Sequence, residues 1–226
     1  GLMEATGATL ELRGIIDSRT GGVLVASTMF GTGGTLLLDG GTVKAGIVTT
    51  DANSALRVTT AGTLDGRNGA VTLNAGSRAI VDGNESLTLL GPLTNHGTLA
   101  IGGDGVYGLV GTLLISGAVG LSGGGTVALA EHSNAQGITA TQLITGQAAT
   151  GAALTNVDNT IIGYGELGGG TLSLTNDAAG VIEATNGTLV VDTGTAVVAN
   201  DGLMEAVAHG TLELRGTIDS HAGGRL

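Results

Sequence analysis

Short runs of alternating apolar and polar residues recur along the chain. Residues 9–13 read Thr-Leu-Glu-Leu-Arg, and residues 126–129 and 171–174 alternate in the same way. A period of two residues over a short run, with threonine and valine present, is typical of a β-strand that buries one face. The tripeptide Gly-Thr-(Leu/Val) begins nine such runs. The pattern therefore predicts many short strands.

Glycine, asparagine and aspartate stand between these runs. They are concentrated at residues 94–97, 175–180, 184–187 and 199–202. Asparagine and glycine accept the left-handed backbone conformation that a sharp corner needs, and asparagine side chains also bond their own backbone. We expect the chain to turn a corner at each of these segments.

No segment has a convincing helical pattern. Residues 136–156 come nearest, but three interior glycines and a series of threonines disfavour a helix. We expect a longer excursion or irregular coil there. Residues 106–130 carry no charge at all, and this run is long enough to cross a membrane. Their seven glycines and strand-length apolar bursts favour a pair of buried strands instead.

A short repeat indicates how the strands are arranged. Residues 180–194 resemble residues 202–216, with Gly180 aligned to Gly202 and Thr188 aligned to Thr211. That offset suits one coil of a β-solenoid, in which successive coils stack about 4.8 Å apart. We predict an all-β parallel β-helix with about 20 residues per coil and roughly ten coils. In this register Asp192 lies beside Arg215, and Glu183 lies beside Glu205.

The sequence also contains a repeat with a much longer spacing. Residues 1–24 and 202–226 share 17 identical residues when one insertion is allowed. Similarity at a fixed, long spacing indicates a tandem array. We therefore predict one full solenoid unit over residues 1–201 and the start of a second unit over residues 202–226, continuous with the first.

Composition and charge narrow the class of protein. The chain has 44 glycines, one proline, no tryptophan and one phenylalanine, yet 42% of its residues are hydrophobic. Small aliphatic side chains suit a narrow interior, and the composition fits neither a disordered chain nor collagen. The net charge is −11 and the eight basic residues are scattered singly, so nucleic acid is not an expected partner. The absence of cysteine excludes disulfides and leaves the compartment open.

Two segments invite a calcium hypothesis. Glu183 and Glu205 offer the hard oxygen ligands that Ca²⁺ prefers, although two solvated carboxylates are the simpler interpretation. Residues 102–108 are similar to the calcium repeat of secreted toxins, but Tyr107 stands where the ligand aspartate belongs and the motif occurs once. We expect no metal site and no cofactor, with calcium as the alternative.

Other candidate chemistry is sparse. The histidines are far apart and without zinc spacing, so we expect surface residues at His96, His132, His209 and His221. Threonines of the tripeptide would stack in an ice-binding solenoid. However, Thr171 and Thr188 lie closer together in the sequence than Thr188 and Thr211, which is too irregular for a lattice.

Nothing in the sequence assembles a catalytic site. The glycine-rich residues 167–172 precede no predicted helix, which excludes a phosphate loop. No cluster of arginine or lysine beside several aspartates is present, and no serine lies in a nucleophile elbow. We therefore expect no catalytic residues and no enzyme activity.

Residues 111–130, residues 154–194 and the phrase shared by residues 1–24 and 202–226 resemble the β-strand repeats of very large secreted bacterial surface proteins, of the filamentous-haemagglutinin, autotransporter and giant-adhesin type. The resemblance covers nearly all of the chain and transfers no functional residue. It implies a right-handed parallel β-helix, export to the cell surface or medium, and a role as an adhesin stalk, biofilm matrix component or extracellular filament.

The expected function is mechanical. Coils stack into a rod, and further copies of the repeat stack end to end as its main partner. A host surface, an environmental surface or a polysaccharide is a second expected partner, and no membrane insertion is expected. The alternative functions are a carbohydrate-binding or carbohydrate-cleaving β-helix and a calcium-dependent secreted module.

Overall fold

Every regular element that the structure describes is a β-strand. The structure is a computed structural model that describes residues 1–103, 109–129, 141–220 and 223–226. Within these ranges no helix is long and apolar enough to cross a membrane.

The strands are short, with two exceptions of 9 and 12 residues. In chain order they are β1 (Leu2–Thr6), β2 (Thr9–Leu12), β3 (Ile15–Asp17), β4 (Val23–Ser27), β5 (Thr35–Leu38), β6 (Thr42–Lys44), β7 (Gly46–Thr50), β8 (Ala55–Val58), β9 (Gly62–Asp65), β10 (Val71–Leu73), β11 (Arg78–Val81), β12 (Ser86–Leu90), β13 (Leu93–Asn95), β14 (Thr98–Ile101), β15 (Thr112–Ser116), β16 (Ala118–Ser122), β17 (Thr126–Leu129), β18 (Gln142–Gly146), β19 (Ala153–Asn156), β20 (Thr160–Gly168), β21 (Ser173–Asn176), β22 (Val181–Asp192), β23 (Val198–Asn200), β24 (Leu203–Val207), β25 (Thr211–Arg215) and β26 (Ile218–Asp219).

Three successive strand positions make one coil, and each coil pairs in parallel with the next. β1 pairs with β4, β2 with β5 and β3 with β6, and the same order continues along the chain. The result is a β-solenoid of about 9 turns, roughly 24 residues apart. The predicted solenoid is confirmed, with slightly longer and fewer coils than the spacing of the short repeat suggested.

The solenoid has three faces. Face 1 is a 10-stranded sheet that runs from β1 to β26. Face 2 begins with β2 and β5, face 3 begins with β3 and β6, and the two faces are joined into a 16-stranded sheet because β20 and β22 each run through both. Face 2 ends at β24 and face 3 ends at β25.

Aliphatic side chains stack on one another along the axis. On face 2, Leu36 lies on Leu56 and Leu38 on Val58, and all four are at most 1% exposed. The residues that alternate with them, Thr35, Leu37 and Arg57, point outward and are partly exposed, which is the alternation predicted from the sequence. The buried residues form one continuous cluster from Ala5 to Met204. Burial of each large aliphatic side chain contributes about 1.5–3 kcal/mol, so the stack carries most of the stability.

A ladder of buried asparagines follows the corner between faces 1 and 2. The amide of Asn156 donates to the side-chain oxygen of Asn176 at 2.9 Å, and the amide of Asn176 donates to that of Asn200 at 2.9 Å. Asn200 in turn donates to the Ser220 hydroxyl at 3.3 Å. All three asparagines are fully buried. These side chains therefore bond from coil to coil. They also bond nearby backbone as predicted, since Asn156 donates to the Asn159 carbonyl at 2.9 Å and Asn176 donates to the Gly180 carbonyl at 3.2 Å.

One predicted corner is a bend inside a strand. Residues 184–187 lie within β22, and Asn186 has a φ of 57°. The left-handed residue turns the strand from face 2 to face 3 without ending the ladder of hydrogen bonds on either side.

The prediction for residues 136–156 is wrong where the structure describes them. Residues 142–146 form β18 and residues 153–156 form β19, both within the solenoid. Gln142 is fully buried, and its side-chain oxygen is satisfied there by a hydrogen bond from the Gly111 N–H at 2.6 Å. Residues 136–140 lie outside the described residues.

The apolar residues 106–130 are confirmed as strand-forming. They hold three strands, β15 to β17, where a pair was predicted. Residues 106–108 and 130 lie outside the described residues.

Candidate functional site

A groove lies at the corner between faces 1 and 2. It has a volume of about 380 Å³. It is called the corner groove below, and its lining residues are Asp51, Ala52, Gly76, Ser77, Arg78, His96, Gly97, Thr98, Gly124, Gly125 and Thr126. It crosses four successive coils, which is about 14 Å along the axis at the spacing of stacked strands.

Glycines keep the corner groove open. A side chain at Gly124 would project into empty space, with no atom within 4 Å of its first carbon. The neighbouring Gly125 is required for packing, because a Cβ there would lie 2.5 Å from the carbonyl oxygen of Asn95. The coils therefore approach each other closely through backbone, and the surface above them is concave.

Asp51 builds one wall of the groove. Its carboxylate accepts hydrogen bonds from the Thr28 N–H at 2.5 Å, the Thr28 hydroxyl at 2.9 Å and the Asn53 N–H at 3.2 Å. The Ser54 hydroxyl and then the Thr28 N–H hold the pKa of Asp51 at about 2. These hydrogen bonds occupy the carboxylate oxygens and hold residues 28–54 in place. The primary role of Asp51 is therefore structural.

Arg78 and His96 also line the groove. Arg78 is exposed and forms no ion pair within the described ranges, whereas the neighbouring Arg57 binds both oxygens of Asp82 at 2.8 and 2.7 Å. The His96 Nδ1 bonds the Gly123 carbonyl at 2.7 Å, which fixes the ring at the groove.

A second hollow of about 240 Å³ adjoins the groove and shares Ala52 and Arg78 with it. Arg78 therefore lines both hollows. It has no acidic partner in the part of the chain that the structure describes. The sequence did not indicate this feature because the basic residues are evenly dispersed.

The two glutamates predicted to be neighbours are neighbours. Glu183 pairs with Glu205 in the register of β22 and β24. They lie on the outer side of face 2, half-exposed. No group of three or more His, Cys, Asp or Glu residues that could hold a metal is present among the described residues. Calcium binding at this pair stays a prediction.

The predicted ion pair across coils is also in place. Asp192 pairs with Arg215 in register, with 3.8 Å between Arg215 Nη1 and Asp192 Oδ2. The closer partner of Arg215 is Glu213 at 2.8 Å. Both partners remain partly in solvent, so the interaction contributes at most about 1 kcal/mol.

Two of the three tripeptide threonines stack, and the third does not, in keeping with their irregular spacing in the sequence. Thr188 stacks on Thr211 in register. Thr171 lies elsewhere, just before β21 of face 1, where its hydroxyl contacts that of Thr145 at 3.0 Å. The variable spacing of the tripeptides thus reflects strands on different faces, and the three predicted threonines form no common array.

Two of the histidines are exposed. His96 faces the corner groove and His209 occupies a tight turn with a φ of 66°. His132 and His221 lie outside the described residues, as do residues 104–108 of the glycine-rich segment 102–108.

The second copy of the repeated phrase stacks directly on the coil before it. β24 pairs with the first half of β22, β25 pairs with its second half, and β26 pairs with β23. Met204 is fully buried in this stack. Residues 203–219 thus continue the ladder of the preceding coil.

No family model, no curated protein and no solved structure matches this chain. The fold and the geometry above are therefore the basis for the function.

Proposed function

We propose that this chain is a non-enzymatic structural segment of an extracellular bacterial adhesin stalk or filament. Coils stack into a rod, and further copies of the unit of residues 1–201 prolong it. The observation that carries the proposal is the stacking of the second copy of the repeated phrase, residues 203–219, on the coil of residues 181–199. The extracellular setting is supported by the resemblance of the repeats to those of large secreted surface proteins.

The interior supports continuation from one unit to the next. Met204, the counterpart of Met3, points inward and lies on Ile182. Glu205, the counterpart of Glu4, points outward on Glu183. The repeated phrase therefore extends an existing core without a change in the pattern of inward and outward residues. In a solenoid such nearest-neighbour stacking supplies the stability of each repeat.

The first coil supports self-association. Among the described strands, β1 on face 1 pairs with β4 alone, and its Met3, which lies on the buried Leu24, is 45% exposed. On face 3, β3 likewise pairs with β6 alone among the described strands. Unpaired strand edges with apolar side chains are templates for another strand. End-to-end stacking of further copies would cover them.

Electron microscopy tests the mechanical role. A two-unit chain, made by placing a further copy of residues 1–201 ahead of the full sequence, should form one unbroken rod of roughly twice the length. The full chain itself should sediment as longer end-to-end species as its concentration rises. Two rods joined by a hinge, or a chain that stays monomeric at high concentration, would contradict continuation or self-association respectively.

Antibody labelling tests the location. Intact, unpermeabilised cells that produce the protein should be labelled along filaments or at the cell surface. Labelling that requires permeabilisation would contradict the extracellular role.

Binding of an anionic polysaccharide is the second candidate function, favoured by the corner groove. Arg78 provides a guanidinium with no acidic partner in the described ranges, and the hydroxyls of Thr98 and Thr126 line the same surface. A hydrogen bond between a guanidinium and a carboxylate contributes about 1.5–3 kcal/mol. The Arg78→Ala variant should therefore lose affinity for polygalacturonate about tenfold or more. Arg19→Ala, which removes the same charge at a distant site, should bind as the parent does, and equal losses in the two variants would exclude the groove.

A further inference from the structure

The two copies of the repeated phrase lie on different faces of the solenoid. Residues 2–6 form β1 on face 1, whereas their counterparts 203–207 form β24 on face 2. Residues 9–12 form β2 on face 2, whereas 211–215 form β25 on face 3. The third strand of the phrase moves in the same sense, from β3 on face 3 to β26 on face 1. The whole phrase is displaced by one face.

The displacement preserves the order of strands and turns in the phrase, although the first turn of the second copy is one residue longer. Both copies turn at glycines with positive φ, 71° at Gly14 and 81° at Gly216. The first turn is left-handed in both copies as well, with a φ of 57° at Gly7 and 46° at Ala208. The phrase thus carries its own turns, and each of its first two turns fits two different corners of the solenoid.

The serine after the third strand occupies two different corners in the same way. Ser18 lies between β3 on face 3 and β4 on face 1, and it is buried there. Its counterpart Ser220 lies between β26 on face 1 and Arg225, which bridges to Leu203 of face 2. At that corner Ser220 accepts the last hydrogen bond of the asparagine ladder. One serine of the phrase therefore fits either corner.

The number of strand positions explains the displacement. Counting β20 and β22 twice, because each runs through two faces, 25 steps separate β1 from β24. Three steps complete a coil, so one unit advances the solenoid by eight coils and one further face. The unit is not a whole number of coils.

We infer that successive units in the proposed array are rotated by one face, and that the original orientation returns only after three units. The inference rests on the proposed continuation of the rod. Each unit then presents its corner groove on the next side of the rod, so that three consecutive units display it in all directions. The asparagine ladder likewise moves to the next corner at each junction, where Ser220 ends it.

Lateral association is limited by this arrangement. A rod whose units were aligned would present one continuous stripe, such as the outward row of Thr98, Thr126 and Thr160, along its whole length. Rotation by one face interrupts every such stripe after one unit. Rods of this kind present equivalent sites all around the axis. They have no single continuous side along which two rods could associate.

An experimental structure of the two-unit chain tests the inference. The measured quantity is the angle about the rod axis between Arg78 of the first unit and its counterpart in the second. Grooves one face apart, roughly a third of a turn, support the rotation. A continuous rod with both grooves on the same face overturns the inference and leaves the proposed function intact. Two separate rods overturn the proposed function and the inference together.

A parent-chain control separates these outcomes further. The single chain should show Glu205 on the same face as Glu11, one face on from Glu4. If Glu205 instead shares a face with Glu4, the rotation is excluded before any second unit is added.

Discussion

Substitution of one asparagine of the ladder tests how much the hydrogen bonds between successive coils stabilise the stack. Asn176 is fully buried between Asn156 and Asn200. Its side-chain oxygen accepts from the Asn156 amide at 2.9 Å, and its own amide donates to the Asn200 oxygen at 2.9 Å. The variant Asn176→Ala therefore removes the partner of a donor in the coil below and of an acceptor in the coil above.

The expected loss follows from the two groups left behind. A buried polar group that loses its partner costs about 1–3 kcal/mol. The Asn156 amide retains a hydrogen bond to the Asn159 carbonyl at 2.9 Å, whereas the Asn200 side-chain oxygen loses the donor that Asn176 supplies, so the loss is less than that of two isolated groups. We expect the free energy of unfolding to fall by about 2–4 kcal/mol.

Urea denaturation followed by far-ultraviolet circular dichroism measures this loss. The matched control is Asn53→Ala, because Asn53 is exposed and its side chain makes no hydrogen bond within the described ranges. The control should change the free energy of unfolding by less than about 0.5 kcal/mol. Equal, small effects of the two substitutions would refute the ladder as a stabilising element.

Two further predictions address the corners. Gly33→Ala should destabilise the fold by about 1–3 kcal/mol, because its Cβ would collide with the Asn53 carbonyl oxygen, whereas Gly120→Ala, with no atom within 4 Å, should have little effect. Thermal melts of the two variants check this, and a lower melting temperature for Gly120→Ala than for Gly33→Ala would contradict it. Asp51→Asn should lower the stability at neutral pH and flatten its decline in acid: the folded pKa of about 2 lies below the unfolded value near 3.9, so the carboxylate stabilises above about pH 4 and the contribution is lost as pH falls through 2. Melting temperatures between pH 7 and pH 2 measure this against Asp177→Asn, and a parent-like acid profile in Asp51→Asn would contradict the assignment.

The architecture could be predicted from sequence because its signals are local and repeated. The alternation in residues 9–12 defines β2, and the offset between residues 180–194 and 202–216 gives the register of β22 with β24 and β25. To recognise these two signals in the sequence, one needs to know only the two-residue period of a strand and the length of one coil. The neighbours Glu183 and Glu205 follow from the same register.

The missed features depend on contacts that a single coil does not contain. Asn156, Asn176 and Asn200 recur at intervals close to the length of one coil, a spacing that could have indicated a ladder. Their position near glycine suggested left-handed corners instead, and of the asparagines in the predicted corners only Asn186 takes that role. β18 was missed because its buried position holds Gln142, a polar residue that the backbone of Gly111 satisfies.

The corner groove and the displacement of the repeated phrase were beyond sequence reasoning. The groove needs residues from four coils, from Asp51 to Thr126, whose excursions differ in length. The face on which residues 203–207 lie depends on every strand before them, including the two that run through faces 2 and 3. A local sequence pattern does not show how many strand positions precede a given segment.

The central claim is that the coils stack in parallel and in one register, and a disulfide tests it directly. The chain has no cysteine, so Glu183→Cys with Glu205→Cys creates the only thiols. These residues are partners in adjacent parallel strands, at a spacing within the roughly 4.4–6.8 Å between Cα atoms that a disulfide spans. The account predicts rapid, intramolecular oxidation of this pair and slow oxidation of Glu183→Cys with Glu213→Cys, because Glu213 lies on face 3. Equal oxidation rates, or faster closure of the second pair, would contradict the stacked register on which the rod depends.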